Sequence, residues 1–148
     1  PIINYNDAVS DEENRKLELL MMQQAHPDEQ VVECVDNDET AAVIAGLVKA
    51  KTLVLMTSTE GIYRDPSDPA TLVRDVVEST PEALTAAVRK LQEGCVGASR
   101  AGANGAKAKL EFALKSALQG TTVIIGHARH HLSDLTEGRV ACTRIGLG

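Results

Sequence analysis

The sequence predicts an α/β fold, built as a single domain over residues 1–148. Short apolar runs rich in β-branched residues, such as TLVLM at 52–56 and TTVIIG at 121–126, alternate with segments that carry apolar residues at helical spacing. A strand that follows a helix at this distance indicates a parallel crossover. Aromatic residues make up only 2% of the chain, so the core is expected to be aliphatic.

In the first third of the chain, apolar runs and polar clusters follow each other closely. Ser10 is a typical helix N-cap, and the acidic residues after it suit a first helical turn. The predicted elements are a strand at 1–3, a polar loop at 4–7, a helix at 10–24, a strand at 31–35, a polar loop at 36–38 and a helix at 39–50.

In the remaining two thirds, the same alternation continues. Pro81 suits the first turn of a helix capped from residue 79, and Gly120 suits the end of another. The predicted elements are a strand at 52–56, a turn-rich stretch at 63–69, a helix from 79 to about 92, a Gly-rich loop at 94–105, a helix at 106–119, a strand at 121–126, a polar loop at 127–134 and a strand at 139–146.

Charge and composition restrict the classes of partner. The net charge of -6 and the pI near 5.2 disfavour binding to nucleic acids or to anionic membranes. The three cysteines form no CxxC pair, so neither a disulfide framework nor a zinc knuckle is indicated. No apolar run is long enough to span a bilayer, and no secretion signal is visible. We therefore expect a cytoplasmic protein without nucleic-acid or membrane partners.

Polar loops follow predicted strands or precede predicted helices at four places. Ligands of open α/β sheets bind at the carboxyl ends of strands, so these loops are expected to converge on one edge. They span residues 4–7, 36–38, 57–61 and 97–109.

The Gly-rich stretch at 94–109 has the features of an anion site. Glycines allow backbone N–H groups to approach an anion, and a helix N-terminus adds partial positive charge. Lys107 and Lys109 lie near that terminus, where cations are unfavourable unless an anion is close. A phosphate is one interpretation, and a surface loop with solvated lysines is the other.

Three aspartates, Asp7, Asp36 and Asp38, are candidates to hold a substrate ammonium group or a hydrated magnesium ion. On the residues alone, turn formation by Asp7 and N-capping by Asp38 are the favoured alternatives. A metal site is not expected in the basic loop that contains His127, Arg129, His130 and His131, because no Cys or carboxylate stands at ligand spacing. An N-terminal Pro1 amine acting as a base is a further, disfavoured interpretation.

Several motifs resemble those of the glutamate 5-kinases, within the amino-acid-kinase superfamily. PIINYNDAV at 1–9 resembles their P-V/I-I-N-E-N-D-A/T-V segment, and Asp36-Asn37-Asp38 resembles D-N-D. LMTSTEGIY at 55–63 is similar to L-L-T-D-x-x-G-L-Y, and GANGAKAK at 102–109 is similar to G-T-G-G-M-x-T-K. The resemblance covers nearly the whole chain in order, and it extends more loosely to pyrroline-carboxylate synthases and to uridylate and aspartate kinases.

The resemblance implies a three-layer sandwich with a mainly parallel sheet, like carbamate and amino-acid kinases, present as the C-terminal half of the kinase domain. It implies substrate contacts and nucleotide contacts, with ATP and Mg²⁺ as cofactors and Lys109 as the catalytic contact to phosphate. The implied substrate-binding residues are Asn6, Asp7, Asn37 and Asp38; the implied nucleotide-binding residues are Thr57, Ser58, Gly61, Tyr63, Gly102, Asn104, Gly105 and Lys109.

The implied activity is transfer of the γ-phosphate of ATP to the side-chain carboxylate of glutamate or a similar amino acid, the first step of proline biosynthesis. Ser58 departs from the family's Asp and Asn104 from its Gly. Because the family's first half is missing here, the expected partner is a complementing N-terminal-half chain or further copies in a homo-oligomer. A non-catalytic nucleotide-binding regulatory module and an assembly subunit with an exposed sheet edge are the alternatives.

Overall fold

The structure is a computed structural model that describes residues 37–96 and 103–148, together with Ile2. The strands predicted at 1–3 and 31–35 and the helix predicted at 10–24 lie outside the described residues. The chain forms two compact units, residues 1–41 and residues 42–148. The description below concerns mainly the second unit.

The described part of the chain contains both helices and strands, as the sequence predicts, although not in strict alternation. The helices are α1 (Asn37–Leu47), α2 (Pro81–Val96), α3 (Ala103–Leu118) and the one-turn α4 (Leu132–Thr136). The strands are β1 (Thr52–Thr57), β2 (Ile62–Tyr63), β3 (Leu72–Val73), β4 (Asp75–Glu78), β5 (Thr122–His127) and β6 (Thr143–Leu147), with a 3-10 turn at Pro69–Thr71. Within these described ranges, no helix is long and apolar enough to cross a membrane.

Four of the strands form one sheet in the order β1-β5-β6-β4. β1 pairs with β5 in parallel and β4 pairs with β6 in parallel, whereas β5 and β6 are antiparallel. The two short strands β2 and β3 form a separate antiparallel hairpin. The prediction of an α/β fold with a mainly parallel sheet is confirmed.

The structure corrects several boundaries. The hairpin β2–β3, the strand β4 and the helix α4 are additional elements, and the last strand is shorter and later than predicted. The loop predicted at 94–105 is also shorter, because α2 continues to Val96 and α3 begins at Ala103. Gly94 and Gly105 are therefore helical. A glycine inside a helix costs only about 1 kcal/mol, which tertiary packing of the helix easily offsets.

The core lies on both faces of β5, whose Val123, Ile124 and Ile125 are all buried. α4 covers one face, where Leu135 lies so close to Gly126 that a Cβ there would be 2.4 Å from Leu135 Cδ2. The pair α2–α3 packs against β4, β5 and β6. Ile124 and Gly126 lie on the same face of β5, because alternate residues of a strand share a face. α4 covers that face, and the α2–α3 pair therefore covers the opposite one.

The helices α1 and α3 end in the same hydrogen-bonded motif, immediately before strands that pair with each other. In α3, the N–H of Thr121 bonds the carbonyl of Ser116 at 3.1 Å and the N–H of Gly120 bonds that of Ala117 at 3.0 Å. This is a Schellman cap, with Gly120 at φ +92° as the left-handed residue. The predicted C-cap role of Gly120 is confirmed.

In α1, the corresponding bonds join Ala50 N–H to Ala45 O at 2.9 Å and Lys49 N–H to Gly46 O at 3.3 Å. The left-handed position is therefore Lys49, at φ +52°. The left-handed conformation costs roughly 1–2 kcal/mol for a residue with a Cβ, whereas glycine adopts it readily.

Replacing Lys49 with Gly is expected to raise the free energy of unfolding by about 1 kcal/mol, because it removes the steric cost of the left-handed conformation. Urea unfolding followed by circular dichroism measures the change. The matched control is Lys51→Gly, two residues further on, where added chain entropy should lower the stability by about 0.5–1 kcal/mol. Equal destabilisation by both variants would show that Lys49 is not strained.

Candidate functional site

The carboxyl ends of the parallel strands β1 and β5 meet at one edge of the sheet. Thr57 and His127, the last residues of these strands, are register partners. Beyond them, the N–H of Ala128 donates to the carbonyl of Thr57 at 2.9 Å, so the two following loops leave the sheet side by side. Ligands of α/β sheets bind at such an edge, which makes it the candidate site.

The loop after β1 is anchored by Thr143 at the start of β6. The Thr143 hydroxyl accepts a hydrogen bond from the N–H of Ile62 at 2.8 Å and donates one to the carbonyl of Val73 at 2.6 Å. Its side chain is fully buried. Both ends of the β2–β3 hairpin are thereby tied to the main sheet.

Gly61 is the residue that allows this close approach. A Cβ at this position would stand 2.4 Å from the Thr143 hydroxyl oxygen and 3.0 Å from the Thr143 backbone nitrogen. Only glycine fits here without displacement of the neighbouring strand. The Gly61 carbonyl also accepts a hydrogen bond from the Thr59 hydroxyl at 3.1 Å, which closes the loop on itself.

The first turns of α3 lie at the same edge. α3 packs against β5 and ends four residues before that strand begins, so it runs antiparallel to β5 and starts where β5 finishes. The end of α2 confirms this placement, since a Cβ at Gly94 would be 3.2 Å from the carbonyl oxygen of Arg64, just after β2. The end of α2 and the β2 segment that follows the β1 loop are therefore neighbours.

A buried glutamine fixes the beginning of α3 to α2. The Gln92 amide donates to the carbonyl of Lys107 at 3.0 Å and to the Glu111 carboxylate at 3.2 Å, and it accepts from Arg89 at 2.7 Å. The hydrogen bond from Arg89 lowers the pKa of the Glu111 carboxyl. Burial raises the pKa of the nearby Cys95 thiol, and the Lys107 charge opposes this rise.

The opening of α3 suits an anion. Unpaired backbone N–H groups of a first helical turn carry partial positive charge, and Lys107 and Lys109 follow within two turns. Among the described residues outside this helix, no atom lies within 4 Å of the position that a Cβ of Gly105 would occupy. This geometry can hold a phosphate group.

The loop after β5 contains a cluster of charged side chains. Glu60, in the loop after β1, contacts Arg129 through one carboxylate oxygen and His130 Nε2 through the other, the latter at 2.7 Å. The N–H of Arg129 donates to His127 Nδ1 at 3.0 Å. Across residues 37–96 and 103–148, no group of three His, Cys, Asp or Glu side chains is placed to hold a metal ion.

The predicted site residues fall into three groups. Thr57, Ser58, Gly61 and Tyr63 lie together, from the end of β1 to β2, and Gly105 and Lys109 lie on the first turns of α3 at the same edge. Asn104 belongs to the first turn of α3 by its backbone, and Asn37 and Asp38 open α1 within the first compact unit. Asn6, Asp7 and Gly102 lie outside the described residues.

Three residues that shape the edge were not predicted. Thr143, Gln92 and Glu60 each act through contacts with distant parts of the chain, at separations of 70 to 81 positions for Thr143 and 70 for Glu60. A Thr at a strand start and a Glu in a polar loop are ordinary in sequence. Gln92 carried a weak signal, since it is a polar residue on an otherwise apolar face of α2.

The comparisons with known proteins agree with this geometry. The model of the amino acid kinase family matches residues 1–127. Glutamate 5-kinase from Xanthomonas oryzae pv. oryzae is 35% identical over 150 residues, which span 98% of this chain and 34% of that enzyme. Glutamate 5-kinase from Frankia casuarinae is 37% identical over 131 residues, which span 86% of this chain and 29% of that enzyme.

A solved structure shows the same fold. Carbamate kinase from Giardia lamblia bound to AMP-PNP superposes with a TM-score of 0.58 at 17% identity, covering 80% of this chain and 34% of that chain. The chain thus spans about a third of the length of the relatives that it matches. The family match, the relatives and the fold agree, and the chain belongs to the amino acid kinase family.

Proposed function

We propose that this chain supplies the nucleotide-binding part of an ATP-dependent phosphotransferase that acts on the side-chain carboxylate of glutamate or a similar amino acid. The observation that carries the proposal is the meeting of the 57–63 segment and the start of α3 at one sheet edge. The similarity to glutamate 5-kinases supports the choice of acceptor. The reaction would serve proline biosynthesis.

In this function, each part of the edge has a role. Lys109 and the first N–H groups of α3 bind the phosphates and offset their charge, and Thr57, Ser58, Gly61 and Tyr63 form the wall beside the nucleotide. A magnesium ion carried by the nucleotide would supply positive charge to the phosphate oxygens. By resemblance to the family, and apart from this edge, Asn6, Asp7, Asn37 and Asp38 would contact the amino-acid substrate.

Phosphoryl transfer depends on donors placed on both sides of the transferred group. The relatives are about three times as long as this chain, so most of their length has no counterpart in these 148 residues. We propose that a further part of a longer protein, a second chain or another copy of this chain supplies them. The isolated chain should therefore bind ATP without transferring phosphate at an enzymatic rate.

Replacing Lys109 with Ala is expected to weaken Mg-ATP binding by about tenfold or more, because a charge-assisted contact to phosphate contributes about 1.5–3 kcal/mol. Calorimetric titration of the full 148-residue chain measures the dissociation constant. Lys115→Ala is the matched control, since Lys115 lies in the last turn of the same helix, beside the Phe112 ring. The control should bind as the unmodified chain does.

Two results would contradict the proposal. Absence of Mg-ATP binding by the unmodified chain would remove the nucleotide assignment, and equal weakening by both lysine variants would show a nonspecific charge effect. A transfer assay with glutamate and labelled ATP, with and without the N-terminal half of a glutamate 5-kinase, then tests the acceptor. Label should reach glutamate only when both halves are present.

A second candidate function is nucleotide binding without transfer. Ser58, exposed after β1, stands where the resemblance to the family leads us to expect an aspartate carboxylate. A hydroxyl cannot supply the negative charge of that carboxylate. If ATP binds but the complemented chain transfers no phosphate, and Ser58→Asp restores transfer, the regulatory function is favoured over the catalytic one for the native sequence.

A further inference from the structure

The most tightly held contact between the two loops of the candidate site involves Glu60. Its two carboxylate oxygens bind different residues, Arg129 and His130, on the loop after β5. The His130 Nε2 lies 2.7 Å from Glu60 Oε2. One acidic side chain thus joins the end of β1 to the end of β5.

The partners of Glu60 are themselves held in place. The N–H of Arg129 donates to His127 Nδ1 at 3.0 Å, and the N–H of His130 donates to the carbonyl of His127 at 3.1 Å. When neutral, His127 therefore carries its ring hydrogen on Nε2. The His127 and His130 rings meet edge to face at 6.3 Å. Glu60 consequently attaches to an ordered turn.

Burial distinguishes the Glu60 carboxylate from the carboxylates of ordinary surface pairs. The side chains of Glu60 and His130 are each 20% exposed, whereas that of Arg129 is 62% exposed. A partly buried charge is screened less by salt and by water than an exposed one. By contrast, the Glu137 carboxylate that contacts Arg139 is 60% exposed.

We propose that Glu60 is a positioning residue, which holds the 58–61 loop in its nucleotide-binding conformation by contacting Arg129 and His130. Glu60 sits between Thr57 and Gly61, two predicted nucleotide contacts, so any movement of its backbone moves theirs. The nucleotide role rests on the proposed function, whereas the ordering of the loop does not.

The experiment compares the full chain with Glu60→Gln, which keeps the size of the side chain and removes its charge. Amide hydrogen exchange, followed by NMR without nucleotide, should become about tenfold faster within residues 58–61. The dissociation constant for Mg-ATP should rise about fivefold. Glu137→Gln is the matched control and should change neither quantity.

A double-mutant cycle separates positioning from general stability. Arg129→Gln should weaken Mg-ATP binding in the native background, but it should add little once Glu60 is already Gln, because the contact is then lost. The thermal midpoint should stay close to that of the unmodified chain in both single variants. Additive effects of the two substitutions would overturn the proposal.

The remaining outcomes are also decisive. Unchanged exchange in Glu60→Gln would overturn the claim that Glu60 orders the loop. Faster exchange with unchanged affinity would overturn its role in nucleotide binding. If the unmodified chain binds no Mg-ATP, the proposed function fails, and the exchange measurement still decides whether Glu60 orders the loop.

Discussion

Replacing Thr143 with Val is expected to lower the free energy of unfolding by about 3 kcal/mol, although the two side chains have nearly the same shape. The hydroxyl of Thr143 accepts from Ile62 N–H and donates to Val73 O, and the site is fully buried. A valine methyl group leaves a donor and an acceptor without this partner, and each loss costs about 1–3 kcal/mol. The β2–β3 hairpin should detach first.

Urea unfolding followed by far-UV circular dichroism measures this loss, since the chain has no Trp for fluorescence. The matched control is Thr85→Val in α2, where the hydroxyl bonds the carbonyl of Pro81 near the surface. That substitution should change the stability by no more than about 0.5 kcal/mol. A loss below about 1 kcal/mol in Thr143→Val would mean that water replaces the hydroxyl.

Replacing Gly61 with Ala is expected to cost about 2–3 kcal/mol, because the added methyl group collides with Thr143. The nearest atom is the Thr143 hydroxyl oxygen at 2.4 Å, and the backbone nitrogen of the same residue follows at 3.0 Å. Neither atom is the end of a flexible chain, so β6 or the loop must shift. The same shift should weaken Mg-ATP binding through the neighbouring predicted contacts.

Thermal unfolding measures the cost of Gly61→Ala. Gly105→Ala provides the contrast, since its position is helical and no described residue outside this helix has an atom within 4 Å of the added Cβ. That variant should gain roughly 0.5–1 kcal/mol. In a Thr143→Ala background, where the colliding oxygen is absent, the penalty at Gly61 should be smaller. If the two substitutions are instead additive, Gly61 is required for another reason.

The elements that the sequence predicts well are those with long, regular patterns. β5 is a buried run of β-branched and aliphatic residues, and β1 is a similar run that is only partly buried. α3 carries its apolar residues on one face, with a glycine after its end. These signals are local. They depend on side-chain spacing and on the conformational freedom of one glycine, so tertiary contacts do not override them.

The elements that the sequence does not predict depend on distant contacts. The two-residue strands β2 and β3 are too short to show a pattern, and their turn-rich connection resembles an irregular loop. β4 is only four residues long, with two valines between two acidic residues, and it is stabilised by β6, almost 70 positions later. Helix α2 extends past its predicted end through Gly94, a position where an added Cβ would lie 3.2 Å from the Arg64 carbonyl oxygen.

In the candidate site, too, the features with a local sequence pattern are predicted and those that depend on distant contacts are not. The motif at 55–63 indicates which loop lies beside the ligand, and the structure places that loop at the carboxyl end of β1. The residues that hold the loop, Thr143 and Glu60, have no local signature, since their partners are 69 positions or more away. The roles of Lys109 and the other predicted contacts remain predictions until binding is measured.

The pairing of β1 with β5 has a consequence for the rate of folding. The contact of Thr121 with Ala50 at the start of these strands spans 71 positions, and that of Ile62 with Thr143 spans 81. The entropy cost of closing such long loops is incurred before strand pairing contributes favourable free energy. In contrast, α2 and α3 are joined by only six residues and can associate early. The helical hairpin should therefore be present before the transition state, and assembly of the sheet should limit the folding rate.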